Sequence, residues 1–226
     1  MSPIETQPSG GGGGVGRTDG WVDDSGEAWT FASFAAGPPA VGTFTVSGDV
    51  TAKYTIGTRI QLTQTTVKFF VVTAVPVFAA GSTTVTISGG TDFTLANAAI
   101  SANFHSYDVN PQGYPTWFAF AAAFTGFSSF SSTSTVFGML GRFVMCNVFA
   151  SGTSNATTFG WTAPVTCVTT SSFPAQILDN GAGTVGPGLC QVTFGSTTGN
   201  FYKDWQSTGW TNIGNKQGNA NTFYRA

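Results

Sequence analysis

Charge is scarce in this chain. Only 8% of its 226 residues are charged, against a usual ~25%. The eight basic residues are scattered and the net charge is -2, so the clustered basic footprint that grips nucleic acid is missing. Histidine occurs once, at His105, and cysteine three times, at Cys146, Cys167 and Cys190, with no C-x-x-C. Those counts argue against a disulfide framework and a zinc site and for buried free thiols. No apolar run reaches the ~20 residues of a membrane span. The most apolar stretch, 67–80, is interrupted by Lys68 and Pro76, which predicts no membrane insertion. The first residues lack the basic-then-apolar layout of a secretory leader, which predicts synthesis and use without export.

Catalytic patterns are equally sparse. No G-x-S-x-G elbow, H-E-x-x-H or Walker A occurs. G-x-G-x-x-G appears at Gly11/Gly13/Gly16 and Gly181/Gly183/Gly186, but the first lies in a glycine run and the second meets Pro187-Gly188. Neither has the strand-then-helix context that holds a dinucleotide. A triad would depend on His105, which sits between aromatics and reads as packed. Glycoside cleavage needs two carboxylates across the scissile bond. The second half offers only Asp179, in the turn sequence Asp179-Asn180-Gly181, and Asp204, beside Lys203. Asp23, Asp24 and Glu27 carry oxygen ligands suited to calcium but lack the regular loop spacing, and read as an acidic turn or helix start. No catalytic residue, cofactor or metal site is expected, and no enzyme.

What the chain does have is aromatics, 14%, together with Thr, Ser, Asn and 30 glycines. That composition folds, and its weak electrostatic protection against association suits a subunit of a larger assembly. Residues 1–18 contain five consecutive glycines and are expected to form a flexible arm. Residues 19–110 show period-two alternation at Phe44/Val46, Ile60/Leu62 and Val85/Ile87, separated by glycine turns. The stretch 67–75 is apolar on both faces and should be central, and 95–100 could make one helical turn. Asn110-Pro111-Gln112-Gly113-Tyr114-Pro115 marks a boundary, with 111–115 as a Pro/Gly linker. Residues 116–226 hold further strands, including a long apolar one over 136–150 with Gly138 and Gly141 inside it. The expected fold is all-β: a small antiparallel β-barrel or sandwich of five or six strands, followed by a jelly-roll-like β-sandwich.

Two stretches carry a family resemblance. One runs from Asp19-Gly20-Trp21-Val22-Asp23-Asp24 through Phe44-Thr45-Val46-Ser47-Gly48-Asp49 and Gly57-Thr58-Arg59-Ile60-Gln61-Leu62 to Asn110-Pro111-Gln112-Gly113-Tyr114-Pro115. The other is Ser151-Gly152-Thr153-Ser154-Asn155-Ala156-Thr157-Thr158-Phe159 with Trp161-Thr162-Ala163-Pro164. Both resemble modules of tailed-bacteriophage virion structural proteins of the tail-fibre or minor structural type. The resemblance implies a virion location, a homotrimer, docking on other virion proteins through 1–110, and no catalytic residues. The chain lacks the long repeat shaft of an extended fibre, so a short fibre or fibre-like appendage active in host attachment is expected. Capsid or head-fibre decoration is the alternative, and polysaccharide cleavage ranks last. Near the C-terminus Tyr202, Trp205 and Trp210 lie among amides and hydroxyls. They are the candidate contacts for a host-surface glycan, because apolar sugar faces stack on rings while sugar hydroxyls need hydrogen bonds. The competing reading places these rings in the core or at a trimer interface.

Overall fold

The computed structural model describes residues 17–183 and 187–226. The arm expected over 1–18 lies outside them except for Arg17 and Thr18, as do the first G-x-G-x-x-G match and Gly186. The fold is all-β, with two antiparallel sheets and no helix among the described residues.

The first sheet uses β1 (Val22–Asp23), β2 (Trp29–Ala35), β3 (Val41–Ser47), β4 (Arg59–Gln64), β5 (Thr66–Val72), β6 (Val77–Ala79), β7 (Ser82–Ser88) and β8 (Ser101–Ser106). Their order is β1-β8-β4-β5-β7-β3-β2, with β6 also on β7. Alternation works as the sequence implies. Phe44, Val46, Ile60, Leu62, Val85 and Ile87 point inward onto Trp29, Tyr54 and Leu95. The strand count exceeds the expected five or six because β1 and β6 are only two and three residues long, too short to show a period.

The helical turn at 95–100 does not form. Gln64 claims its backbone, accepting from Ala96 N (3.0 Å) and donating to the carbonyls of Ala96 (2.8 Å) and Ala98 (3.0 Å). Those groups are satisfied without a helix.

The second sheet uses β9 (Phe118–Ala119), β10 (Phe124–Thr125), β11 (Phe127–Leu140), β12 (Phe143–Ser154), β13 (Gly160–Cys167), β14 (Ser171–Asp179), β15 (Ala182–Gly183), β16 (Gly188–Val192), β17 (Ser196–Tyr202) and β18 (Asn215–Arg225). Its order is β10-β13-β17-β16-β14-β18-β12-β11-β9, with β15 also on β14. β14 is the corner. Residues 171–175 pair with β16 and residues 176–179 with β18, so the strands fold into a sandwich. Phe137, Val144, Cys146, Val148, Ala220 and Tyr224 on one layer meet Trp161, Ala163, Val165, Cys167, Cys190 and Phe201 on the other. All three thiols are free and buried. Burial pushes Cys146 up to about 12 and raises Cys190 as well. The single long strand expected over 136–150 is instead a hairpin: Leu140 pairs with Phe143 across Gly141-Arg142, with Gly141 at φ 55°.

The two modules share a core across the boundary. β5 explains why 69–72 is apolar on both faces: Phe70 and Val72 enter the first core while Val71 enters the second. Val67 and Val75, the ends of that run, are exposed. The segment 111–115 is packed, not a free linker. Trp21 Nε1 donates to Gln112 O (2.9 Å) and Tyr114 OH to Phe70 O (3.2 Å). Rings then run Trp21, Phe69, Tyr114, Phe118, Phe137 at centroid spacings of 6.1, 6.0, 5.6 and 5.5 Å. Gly57, at φ 89°, lies so close to the β11–β12 turn that a Cβ there would fall 2.1 Å from Gly141 O. Beside it, Arg59 donates to Met139 O at 2.8 Å.

Candidate functional site

The three glycan candidates separate on folding. Tyr202 ends β17, and Trp210 follows the loop 203–209. Both line one pocket of about 220 Å³ with Phe159 and Phe201, while Thr157, Thr158, Asn200 and Ser207 supply its polar groups. Trp205 lies outside the lining, at the loop tip, 53% exposed. Trp210 is 3% exposed, and its Nε1 donates to Phe201 O at 2.7 Å. It is therefore a wall held by the core, in line with the competing reading for that residue. Phe159 packs against it at 5.3 Å and against Phe201 at 4.6 Å.

Local chemistry fixes the loop. Asp204 accepts from Gln206 N (2.9 Å) and Thr208 N (3.1 Å), an Asx turn that satisfies its own backbone. Asp179 accepts from Thr211 Oγ1 (2.8 Å) and from Lys203 Nζ (3.1 Å). Burial raises the Asp179 carboxyl, but these bonds outweigh it and hold the group below the usual range. Both candidate carboxylates of a hydrolase are thus committed to fixing the loop. Inside it Ser207 sits at φ 62°, a left-handed conformation that costs a non-glycine residue ~1–3 kcal/mol and tends to persist at functional sites. Thr157, Thr158, Asn200, Tyr202 and Ser207 make no side-chain hydrogen bond among the described residues, whereas Thr211, a neighbour outside the lining, does.

Beneath the pocket lies Lys216, fully buried. Its ammonium donates to the carbonyls of Gly126 (3.0 Å), Ala156 (2.8 Å) and Thr158 (2.8 Å) and lies 5.5 Å from the Trp210 ring. Burial lowers its pKa to about 8, against the attraction of Asp179. Lys216 ties the 156–158 strap, and so the Thr157 and Thr158 side of the pocket, to β18. The sequence does hold a signal for it: Lys216 is in phase with Gly218, Ala220, Thr222 and Tyr224, the inward set of β18.

A second polar cluster sits in the first module. His105 Nδ1 meets Asp24 Oδ2 at 2.8 Å, and both residues are buried. Lys53 Nζ contacts Asp24 and lies 2.7 Å from Glu27 Oε1; Tyr54 OH and Trp29 Nε1 also donate to Glu27. Desolvation would lower Lys53, but the two carboxylates win and hold it above its usual value. Glu27 is held below its own: burial raises it, and the bonds from Lys53, Tyr54 and Trp29 outweigh that. Asp24 and Glu27, weighed for calcium, thus close on the Lys53 ammonium. Asp23 is exposed and accepts from Ser25 N, an acidic turn. The Asp24–His105 pair spans 81 residues, and nothing local in the sequence announces it. No hydroxyl or thiol is hydrogen-bonded to His105 among the described residues, so the pair has no nucleophile to activate.

The two ends of the sandwich differ. β12 is twelve residues long, which at ~3.3 Å per residue separates its ends by some 35–40 Å. The Phe143 end abuts Gly57 and Arg59 of the first module. The Ser154 end holds the pocket, with Ser154 Oγ donating to Thr211 O at 2.6 Å. Leu140, Phe143, Val168, Phe194 and Phe223 are all more than 40% exposed and gather at the Phe143 end, where Phe143 and Phe223 stack at 4.9 Å. Among the described residues no helix is long and apolar enough to cross a membrane. No protein-family model, curated protein or solved structure matches the chain.

Proposed function

We propose that this chain is a structural subunit of a tailed-bacteriophage particle, a short tail fibre or fibre-like appendage that serves host attachment. The observation that carries this reading is the polarity of the molecule. One end of the sandwich is fastened to the N-terminal module and ringed by exposed apolar side chains. The opposite end, where Phe130, Trp205 and Ile213 are exposed as well, presents a pocket whose hydroxyl and amide groups make no side-chain hydrogen bond among the described residues. An attachment subunit needs that division: a fixed end that packs against copies of itself and against the particle, and a free end that meets the host surface. Low charge supports it, since a chain with 8% charged residues resists association weakly. In this reading residues 1–110 dock on other virion proteins, the apolar ring around Phe143 and Phe223 builds a homotrimer, and the C-terminal end faces outward. The protein works by binding and is not an enzyme.

Competition tests the proposal. Purified full-length protein added to host cells before the phage should block adsorption in a saturable manner. Undiminished adsorption, with the protein failing to bind cells, contradicts attachment. Native mass measurement should give a trimer; a stable monomer at high concentration overturns the proposed oligomer.

A further inference from the structure

We infer that the pocket between Phe159, Tyr202 and Trp210 binds one neutral pyranose unit. The inference rests on the attachment reading for the source of the sugar, but its chemistry comes from the pocket. Size is the first argument. About 220 Å³ is below the ~300–1,000 Å³ of sites for drug-sized ligands, so one ring fits and a chain must leave along the surface. Composition is the second. Tyr202 gives a partly exposed ring, the buried Phe159 and Trp210 close the apolar floor, and Thr157, Thr158, Asn200 and Ser207 give hydroxyls and an amide. A pyranose has the same mixture, with an apolar C–H face and hydroxyls around its rim.

Charge decides the class. The acidic and basic groups of the surrounding segments are spoken for: Asp179 holds Lys203 and Thr211, Asp204 caps its own loop, and Lys216 is buried against three carbonyls. Among the described residues around the pocket no cation is left free to pair with a sugar carboxylate, so an acidic sugar entering here would lose hydration without gaining a partner. Trp205, exposed beside the pocket, is positioned to contact the next unit of a chain.

The test uses the full chain, with saturation-transfer NMR and tryptophan fluorescence. The probes are the methyl glycosides of glucose, galactose, mannose and rhamnose, set against glucuronic and sialic acids, at concentrations up to roughly 20 mM, since single-sugar affinities lie near the millimolar range. At least one neutral glycoside should bind saturably and the acids should not. Asn200→Ala and Tyr202→Ala should each weaken binding about 10-fold or more, which equals ~1.4 kcal/mol. Trp205→Ala should leave single-sugar binding within about twofold and weaken an oligosaccharide more. Unfolding midpoints of each variant distinguish lost contacts from lost fold. Preference for the acids overturns the ligand class. Binding by none of the probes, or binding indifferent to both pocket variants, overturns the site. Sugar binding without any block of adsorption would sink the attachment reading and leave the site standing; blocked adsorption without sugar binding would do the reverse.

Discussion

The two ends of the C-terminal sandwich are made from the same strands and treat polar groups in opposite ways. At the Phe143 end the modules meet at backbone: Gly57 lies against Gly141, and the Arg59 guanidinium donates to the Met139 carbonyl. The side chains left exposed there include Leu140, Phe143, Val168, Phe194 and Phe223 beside Arg142 and Arg225. At the Ser154 end one buried ammonium, Lys216, gathers three carbonyls, and the hydroxyls of Thr157, Thr158 and Ser207 make no side-chain hydrogen bond among the described residues. The difference teaches where each end spends its interactions. The fastened end uses them on shape, which makes the two modules one body. The other end ties its loops down from beneath and leaves its outer face uncommitted. Two lysines, one half-buried and one buried, repeat the contrast between modules. Lys53 has two carboxylates and is raised, while Lys216 has carbonyls and is lowered to about 8.

The largest expected effect comes from breaking the fastened end. Gly57→Val combines a positive-φ site with a Cβ aimed at backbone, so it should cost ~3 kcal/mol or more, adding strain to overpacking. Denaturant unfolding would check this; a loss under about 1 kcal/mol would mean the modules meet loosely. Next is Lys216→Met. It fills similar volume but takes from Thr158 O its Lys216 donor, while Gly126 O keeps Asn155 N (3.2 Å) and Ala156 O keeps Ser154 Oγ (3.2 Å), and should cost ~1–3 kcal/mol. It should also weaken sugar binding, because the Thr157–Thr158 strap loses its tether.

A pH series on the same pair sharpens the point. Lys216 titrates near 8 when folded and near 10.5 when unfolded, so the folded chain binds fewer protons between those values and gains stability as pH rises through them. Buried thiols with raised values, Cys146 and Cys190, oppose this above about pH 9. The clean measure is therefore wild type relative to Lys216→Met from pH 7 to 9: the margin should widen in favour of wild type. A constant margin would mean the ammonium is not under strain.

Smaller effects belong to the surfaces. The double variant Phe143→Ser, Phe223→Ser should change monomer stability by about 1 kcal/mol or less, since both rings are half exposed, yet shift the oligomer toward monomer in sedimentation. Smallest is Ser207→Gly, which should stabilise the chain by up to ~1 kcal/mol by relieving a left-handed serine. A destabilised Ser207→Gly would show that the conformation stores no strain.

Much of the fold could be read in the sequence where one period governs. Phe44/Val46, Ile60/Leu62 and Val85/Ile87 turn inward as their alternation says, because one face of each strand meets a core and the other does not. The reading failed where a non-local partner decided. Gln64 reaches across to hold 96–98 out of a helix. Gly141 turns the chain back, though a glycine in an apolar run equally suggests a bulge. Tyr202 and Trp210 were visible as aromatics, but composition could not tell the pocket's wall from Trp205 at the loop tip. Asp24 and His105 lie 81 residues apart and meet only because β1 pairs with β8.

The claim that the two ends have different jobs is tested most directly by imaging purified particles with the chain gold-labelled at position 205. The account predicts label on a tail appendage at its outermost tip, with residues 1–110 toward the particle. Label spread evenly over the head, or the 205 loop turned inward against the particle, would contradict it.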